Sequence, residues 1–145
     1  MKTFESVAFI LERECASTIK EWLRRVNMVK DLATIPLSDV NRTSHLPKLF
    51  DDLLSRLRRG RDAQPTVSMA AAAHGNVRFA QGYSASMLIE ESRIFQVSTF
   101  NTLHLHQDEL DQNEVLLDVM VIADEADRQL TETVRSFMTA QRAAA

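Results

Sequence analysis

A chain of 145 residues is long enough for one domain with a single core, and its 45% hydrophobic content excludes a disordered chain. A net charge of -3 and a pI near 5.8 give no overall pull toward nucleic acid. Three glycines and three prolines are too few for a turn-dense, strand-rich fold, so long helices with short connections are expected.

Cys15 is the only cysteine, so no disulfide can form within the chain, which points to a reducing, cytoplasmic setting. The opening MKTFESVAFILERECAST has an apolar patch, but Glu5, Glu12, Arg13 and Glu14 interrupt it. It reads as neither a secretory signal nor a membrane span, and no later run approaches the roughly 20 apolar residues a spanning helix needs.

The periodicity predicts five helices. The first runs over Thr3 to Asp31, with Phe4, Val7, Ala8, Leu11, Cys15, Ile19, Trp22, Leu23 and Val26 at three-four spacing on one face. Trp22 is expected to anchor the core, and Cys15 to be a small buried hydrophobe. Leu32 to Thr43 is a connector, because Pro36 biases Ile35 away from helix. Ser44 is the expected N-cap of the second helix, with Pro47 in its first turn. Leu46, Leu49, Phe50, Leu53, Leu54 and Leu57 form its buried face, and Gly60 ends it after a basic tail.

Pro65 is expected to start the third helix. Val67, Ala70, Ala71, His74, Val77, Arg78 and Gln81 lie near one side of it, and Ala70 to Ala73 would admit a close neighbour. Gly82 suits the residue just past a helix, free to take positive φ. Ser84 then caps a fourth helix over Ala85 to His106, with Tyr83 able to pack on Leu88 as a hydrophobic staple. Leu88, Glu91, Phe95, Ser98 and Thr102 share one side of it, widened by Met87, Ile94 and Val97. QDELDQN is a break, and a last helix runs over Asn113 to Gln141. No internal repeat, strand or domain boundary is evident, so residues 1–145 read as one domain.

In the last helix Leu116, Ala123, Leu130 and Phe137 recur every seven residues, with Val119 and Ala126 between them. This is the spacing of a coiled-coil seam, interrupted at Thr133. A core-facing helix accounts for its first half. For its second half a partner helix is expected, because the sequence reading leaves nothing else to cover it, and a homodimer follows. Charge is also segregated. Eight acidic residues and no basic one lie from Asp108 to Asp127, against six basic and two acidic from Arg42 to Arg61. Solvated helix faces, or a polar contact between protomers or with a downstream module, would each account for this.

Motifs for chemistry are absent. There is no HExxH or CxxC, and His104 and His106, two apart, would point about 200° from each other on a helix. No metal site is therefore expected. A haem would need His74 or His104 as axial ligand in an apolar pocket, and neither lies in a convincing haem-pocket pattern. No nucleophile elbow, oxyanion loop or phosphate-cradling glycine loop is recognisable, so no enzyme is expected. Arg56, Arg58, Arg59 and Arg61 lack the helix-turn-helix or aromatic setting of a nucleic-acid site. What remains is His74 and Arg78, four apart on one face, with Glu91 and Arg93 across the Gly82 turn. An antiparallel hairpin there would oppose Arg78 and Glu91. Either they form an ion pair fixing two helices, or with His74 they line a cavity for an anionic or polar ligand, Arg78 being its forked donor.

Three segments carry a resemblance: IKEWLRRV with its tryptophan, SHLPKLFDDLLSRL, and HGNVRFAQGYSASMLIEESRIF, followed by the long final helix. Together they resemble the RsbRD-type sensory domain, the N-terminal module of stressosome co-antagonists and of some bacterial sensor histidine kinases. His74, Arg78, Gly82, Leu88 and Glu91 fall where that family tends to place such residues. The resemblance implies an all-α, globin-like bundle without haem or other cofactor, which dimerises and signals through its last helix. It also implies an output module, a histidine kinase or an anti-sigma-antagonist-like domain. This chain has neither, so it is expected to be an excised input region or a stand-alone relative.

Overall fold

The computed structural model describes residues 2–145. It is an all-α bundle with a long C-terminal helix, and no strand is present among the described residues. The elements are α1 (Val7–Arg13), α2 (Cys15–Asn27), α3 (Lys30–Ala33), α4 (Asp39–Thr43), α5 (Leu46–Arg59), α6 (Met69–Ala80), α7 (Ala85–Leu105) and α8 (Val115–Ala144), with a 3₁₀ turn over Gln107–Glu109 between the last two. No helix among the described residues is long and apolar enough to cross a membrane.

The predicted first helix is broken at Glu14, and its second part ends at Asn27, so that Lys30 and Asp31 belong to α3. Residues 3–6 are not helical, Phe4 is largely exposed, and Glu5 N–H bonds the Glu109 carbonyl at 2.8 Å. The helix starts where Ser6 Oγ accepts the Phe9 N–H. It breaks at Glu14, whose carbonyl receives the Thr18 hydroxyl at 2.8 Å as well as the Thr18 N–H. The buried face resumes as Thr18, Trp22 and Val26, and Cys15 is only half-buried beside it, its thiol pushed up by burial.

The connector is not irregular. It holds α3 and α4, and Ser38, not Ser44, is the capping serine there. Ser44 and His45 keep right-handed helical backbone between α4 and α5, whereas an N-cap needs extended backbone. The start of α6 also differs from expectation. Pro65 lies in a loop, and the helix begins at Met69, where Ser68 accepts the Ala71 N–H and donates to Asp52 at 2.6 Å. The other boundaries follow the sequence. Gly60 ends α5, Gly82 has φ +87°, and Ser84 accepts the Met87 N–H at the head of α7.

The core sits where α1, α2 and α5 meet α7 and α8. Trp22, Phe50, Leu53 and Ile122 are almost fully buried, and Phe50 lies 5.0 Å from Phe95 between ring centres. Against α8, α6 comes closest. A Cβ added to Gly75 would run into the Thr133 carbonyl oxygen and lie 3.0 Å from the Phe137 nitrogen, so only glycine permits this approach.

This contact corrects the expected seam. The face α8 buries is Ile122, Glu125, Ala126, Gln129, Thr133 and Phe137. Thr133, which interrupts the heptads, donates its hydroxyl to the Ala71 carbonyl at 2.9 Å. Phe137 is covered by Phe79 of the same chain, edge to face at 5.5 Å. The second half of α8 is thus covered by α6. Of the seam residues, Ala126 and Phe137 are buried, Val119 and Leu130 pack partly on the core, Ala123 is half-buried, and Leu116 is exposed.

The segregated charges meet within one chain. Arg56 bonds Asp124 at 2.6 Å and Glu125 at 3.4 Å, and Arg61 bonds Glu114 at 2.8 Å and Asp118 at 3.2 Å. Arg58 pairs with Glu12, and Arg59 caps the Gln64 carbonyl.

Candidate functional site

Glu91 is the centre of the most deeply buried polar cluster. It lies one and a half turns into α7, on the face that Ser84 sets by starting the helix. Arg78 reaches it from α6 with both arms of its fork, Nε to Oε1 and Nη2 to Oε2, each at 3.1 Å. The Tyr83 hydroxyl donates to Oε2 at 2.7 Å, and His74 Nε2 lies 3.4 Å from Oε1. Trp22 adds its indole N–H to the Glu91 backbone carbonyl at 3.2 Å, tying α2 to the same turn.

Arg78 has no exposed surface and no donor to spare. Its remaining N–H groups go to the Arg42 carbonyl at 2.7 Å, the Gln81 side chain at 2.7 Å and, at 3.5 Å, the Asn41 carbonyl, and its guanidinium lies over the Tyr83 ring. Arg42 is itself buried, donating to the Leu32 and Ile35 carbonyls and to the Tyr83 hydroxyl at 3.0 Å. Tyr83 is thus held by its hydroxyl, not merely as an apolar staple.

The histidines complete the cluster. His45 and His74 stack face to face, 3.7 Å between ring centres and 8° between planes, and Trp22 meets His45 edge-on. Nδ1 of His45 is buried and has no hydrogen-bond partner in the protein. Burial lowers the pKa of both rings, more so for His45, which also faces His74 and Arg78. Burial thus disfavours the charged form of both rings. Burial would push Glu91 up, but the hydrogen bond from His74 and the charge of Arg78 outweigh it and hold the carboxylate below its usual range.

Two spaces adjoin the rings. A pocket of about 30 Å³ lies among Trp22, His45, His74, Glu91, Gln129 and Thr133. It is water-sized and far too small for a haem. On the outer side a groove of about 190 Å³ runs past Asn41, Lys48, His45, His74 and Arg78. His104, the other residue named for haem, is exposed, and Arg93 faces solvent with Glu90. His106 does not share a site with His104; it lies between Glu14 and Glu109.

Of the residues singled out by sequence, the fold brings His74, Arg78 and Glu91 together. The sequence reading missed Arg42 and His45. A signal existed: Arg42, Leu46, Leu49 and Leu53 continue one three-four stripe back through the junction of α4 and α5. Reading that junction as loop hid it.

No family model, no curated protein and no solved structure matches this chain.

Proposed function

We propose that this chain is a signal-transduction input domain. Its receiving part is the His74–Arg78–Glu91 cluster, and α8 carries the change to an output module such as a histidine kinase or an anti-sigma-antagonist-like domain. The observation that carries this reading is the glycine contact between α6 and α8. Gly75 follows His74 directly and rests on the backbone of Thr133, so a shift of the cluster is felt by α8 without an intervening side chain. Interiors packed this closely change by switching between discrete arrangements, not by gradual deformation. A stimulus acts only through different affinity for the two arrangements.

The test uses a fusion of the chain to a kinase output module. Arg78→Lys and Tyr83→Phe are expected to change basal or stimulated output while the domain stays folded. Unchanged output with unchanged stability removes the cluster from signalling.

Dimerisation belongs to the same proposal. Leu116, Leu117 and Met120 are exposed on the first turns of α8, and Leu116 is the seam residue its own core leaves uncovered. Replacing Leu116 and Met120 by Asp should shift a dimer to monomer by light scattering. A monomeric parent chain would remove the dimer from this reading.

One observation favours a different class, a dimerisation scaffold that senses nothing. Every donor of Arg78 is already used inside the chain, so Arg78 offers no fork to an anionic ligand. The two readings separate in the same fusion, because a scaffold keeps its output whatever happens at Tyr83.

A further inference from the structure

His45, His74 and Glu91 come from three separate parts of the chain, and one ligand atom of each lies within 4.8 Å of the others. We propose that they form a site for a late first-row transition-metal ion, such as Zn²⁺, Co²⁺ or Fe²⁺. The proposal names a ligand class for the cluster in the signalling reading above, but the site stands or falls on its own.

Four observations support it. The donor set is two imidazoles and one carboxylate, a combination used where a metal keeps a further position open. Nδ1 of His45 is buried without a partner, a cost that coordination would remove. The carboxylate is already oriented by Arg78 and Tyr83, as outer-shell partners orient metal ligands. Finally, the pocket of about 30 Å³ beside the rings offers room for a water on the ion, and the groove past Lys48 offers a way in.

The surroundings also select the metal. Arg42 and Arg78 place two guanidinium charges near a single carboxylate. A hard cation such as Mg²⁺ or Ca²⁺, bound by charge and oxygen donors, has little to gain there. An ion bound by imidazole nitrogen gains more. The two rings stack only 8° from parallel, so their in-plane lone pairs do not converge. Capture of an ion must turn at least one ring, and His45, whose Nδ1 holds no hydrogen bond, turns at least cost. That rotation changes its edge contact with Trp22.

The experiment is titration of the full chain, freed of metal by chelation, with Co²⁺ and Zn²⁺. One Co²⁺ per chain should bind with visible d–d absorption, Zn²⁺ should displace it, and Trp22 fluorescence should change. Mg²⁺ should do neither. His45→Phe keeps a ring in the stack but removes the ligand, and should weaken binding by at least about tenfold. His74→Gln should do the same, with folding of both checked by circular dichroism. His104→Ala should leave binding unchanged. No Co²⁺ spectrum, or binding that survives a folded His45→Phe protein or depends on His104, overturns the site. Binding that leaves the fusion output unaltered leaves the site standing and overturns the signalling role.

Discussion

Two buried glutamates, Glu91 and Glu125, meet an arginine from another helix in this bundle, and the two contacts are built differently. Glu91 and Glu125 are equally hidden, each 3% exposed. Glu91 receives both arms of Arg78, the Tyr83 hydroxyl and His74, and it is held below the usual carboxylate range. Glu125 has Arg56 only at 3.4 Å and the Gln129 amide at 2.9 Å, because the shorter bond of Arg56 goes to Asp124. Burial therefore wins at Glu125 and raises its pKa. Burial alone thus does not decide whether a buried acid is ionised; the number and geometry of its donors do.

The largest effect should come from Glu91→Ala. It leaves Arg78 charged and buried, and should cost about 3–5 kcal/mol in denaturant unfolding. A loss no greater than that of Glu125→Ala would break the contrast between the two sites. Next is Gly75→Ala, which forces α6 away from the Thr133 carbonyl. We expect about 1–3 kcal/mol, read as an earlier unfolding midpoint. An unchanged midpoint would mean that α6 and α8 can separate freely, which also undercuts the route to α8.

Glu125→Gln tests the other side. The raised pKa means that the fold prefers the protonated acid. That contribution is full below the ordinary value of 4.5 and is lost as pH rises through the raised value. The stability of the parent relative to the Gln variant should therefore fall as pH rises from below 4.5 toward neutral. A difference that stays flat, or rises, would show Glu125 to be as well paired as Glu91. The smallest effect belongs to Arg61→Ala. Arg61 and Glu114 are exposed and Asp118 is only partly covered, so screening removes most of the gain and the unfolding midpoint should not move measurably.

The helices that carry strong local signals were legible in the amino-acid sequence. Gly82 and Ser84 placed the α6–α7 hairpin, because positive φ and a side-chain cap are properties of one or two residues. The α5 face was legible because its buried residues are leucines and Phe50 at helical spacing. The pairing of Arg78 with Glu91 followed from the same hairpin.

Tertiary structure decided the rest. On α6 the buried positions are Ala71, His74, Gly75 and Arg78, while Val77 is exposed, as is Val67 in the loop before the helix, so the most hydrophobic residues expected on this side are not the ones it buries. On α8, Thr133 and Gln129 are inside and Leu116 is outside, because polar side chains with partners on α6 and α5 can be buried and an unmatched leucine is left over. The break at Glu14 and the helical turn through His45 depend on hydrogen bonds and packing that no local pattern announces. The His45–His74 stack exists only because α5 and α6 meet there. Periodicity reports which side of a helix is apolar; it does not report which polar groups find partners, and in this molecule those partners build the candidate site.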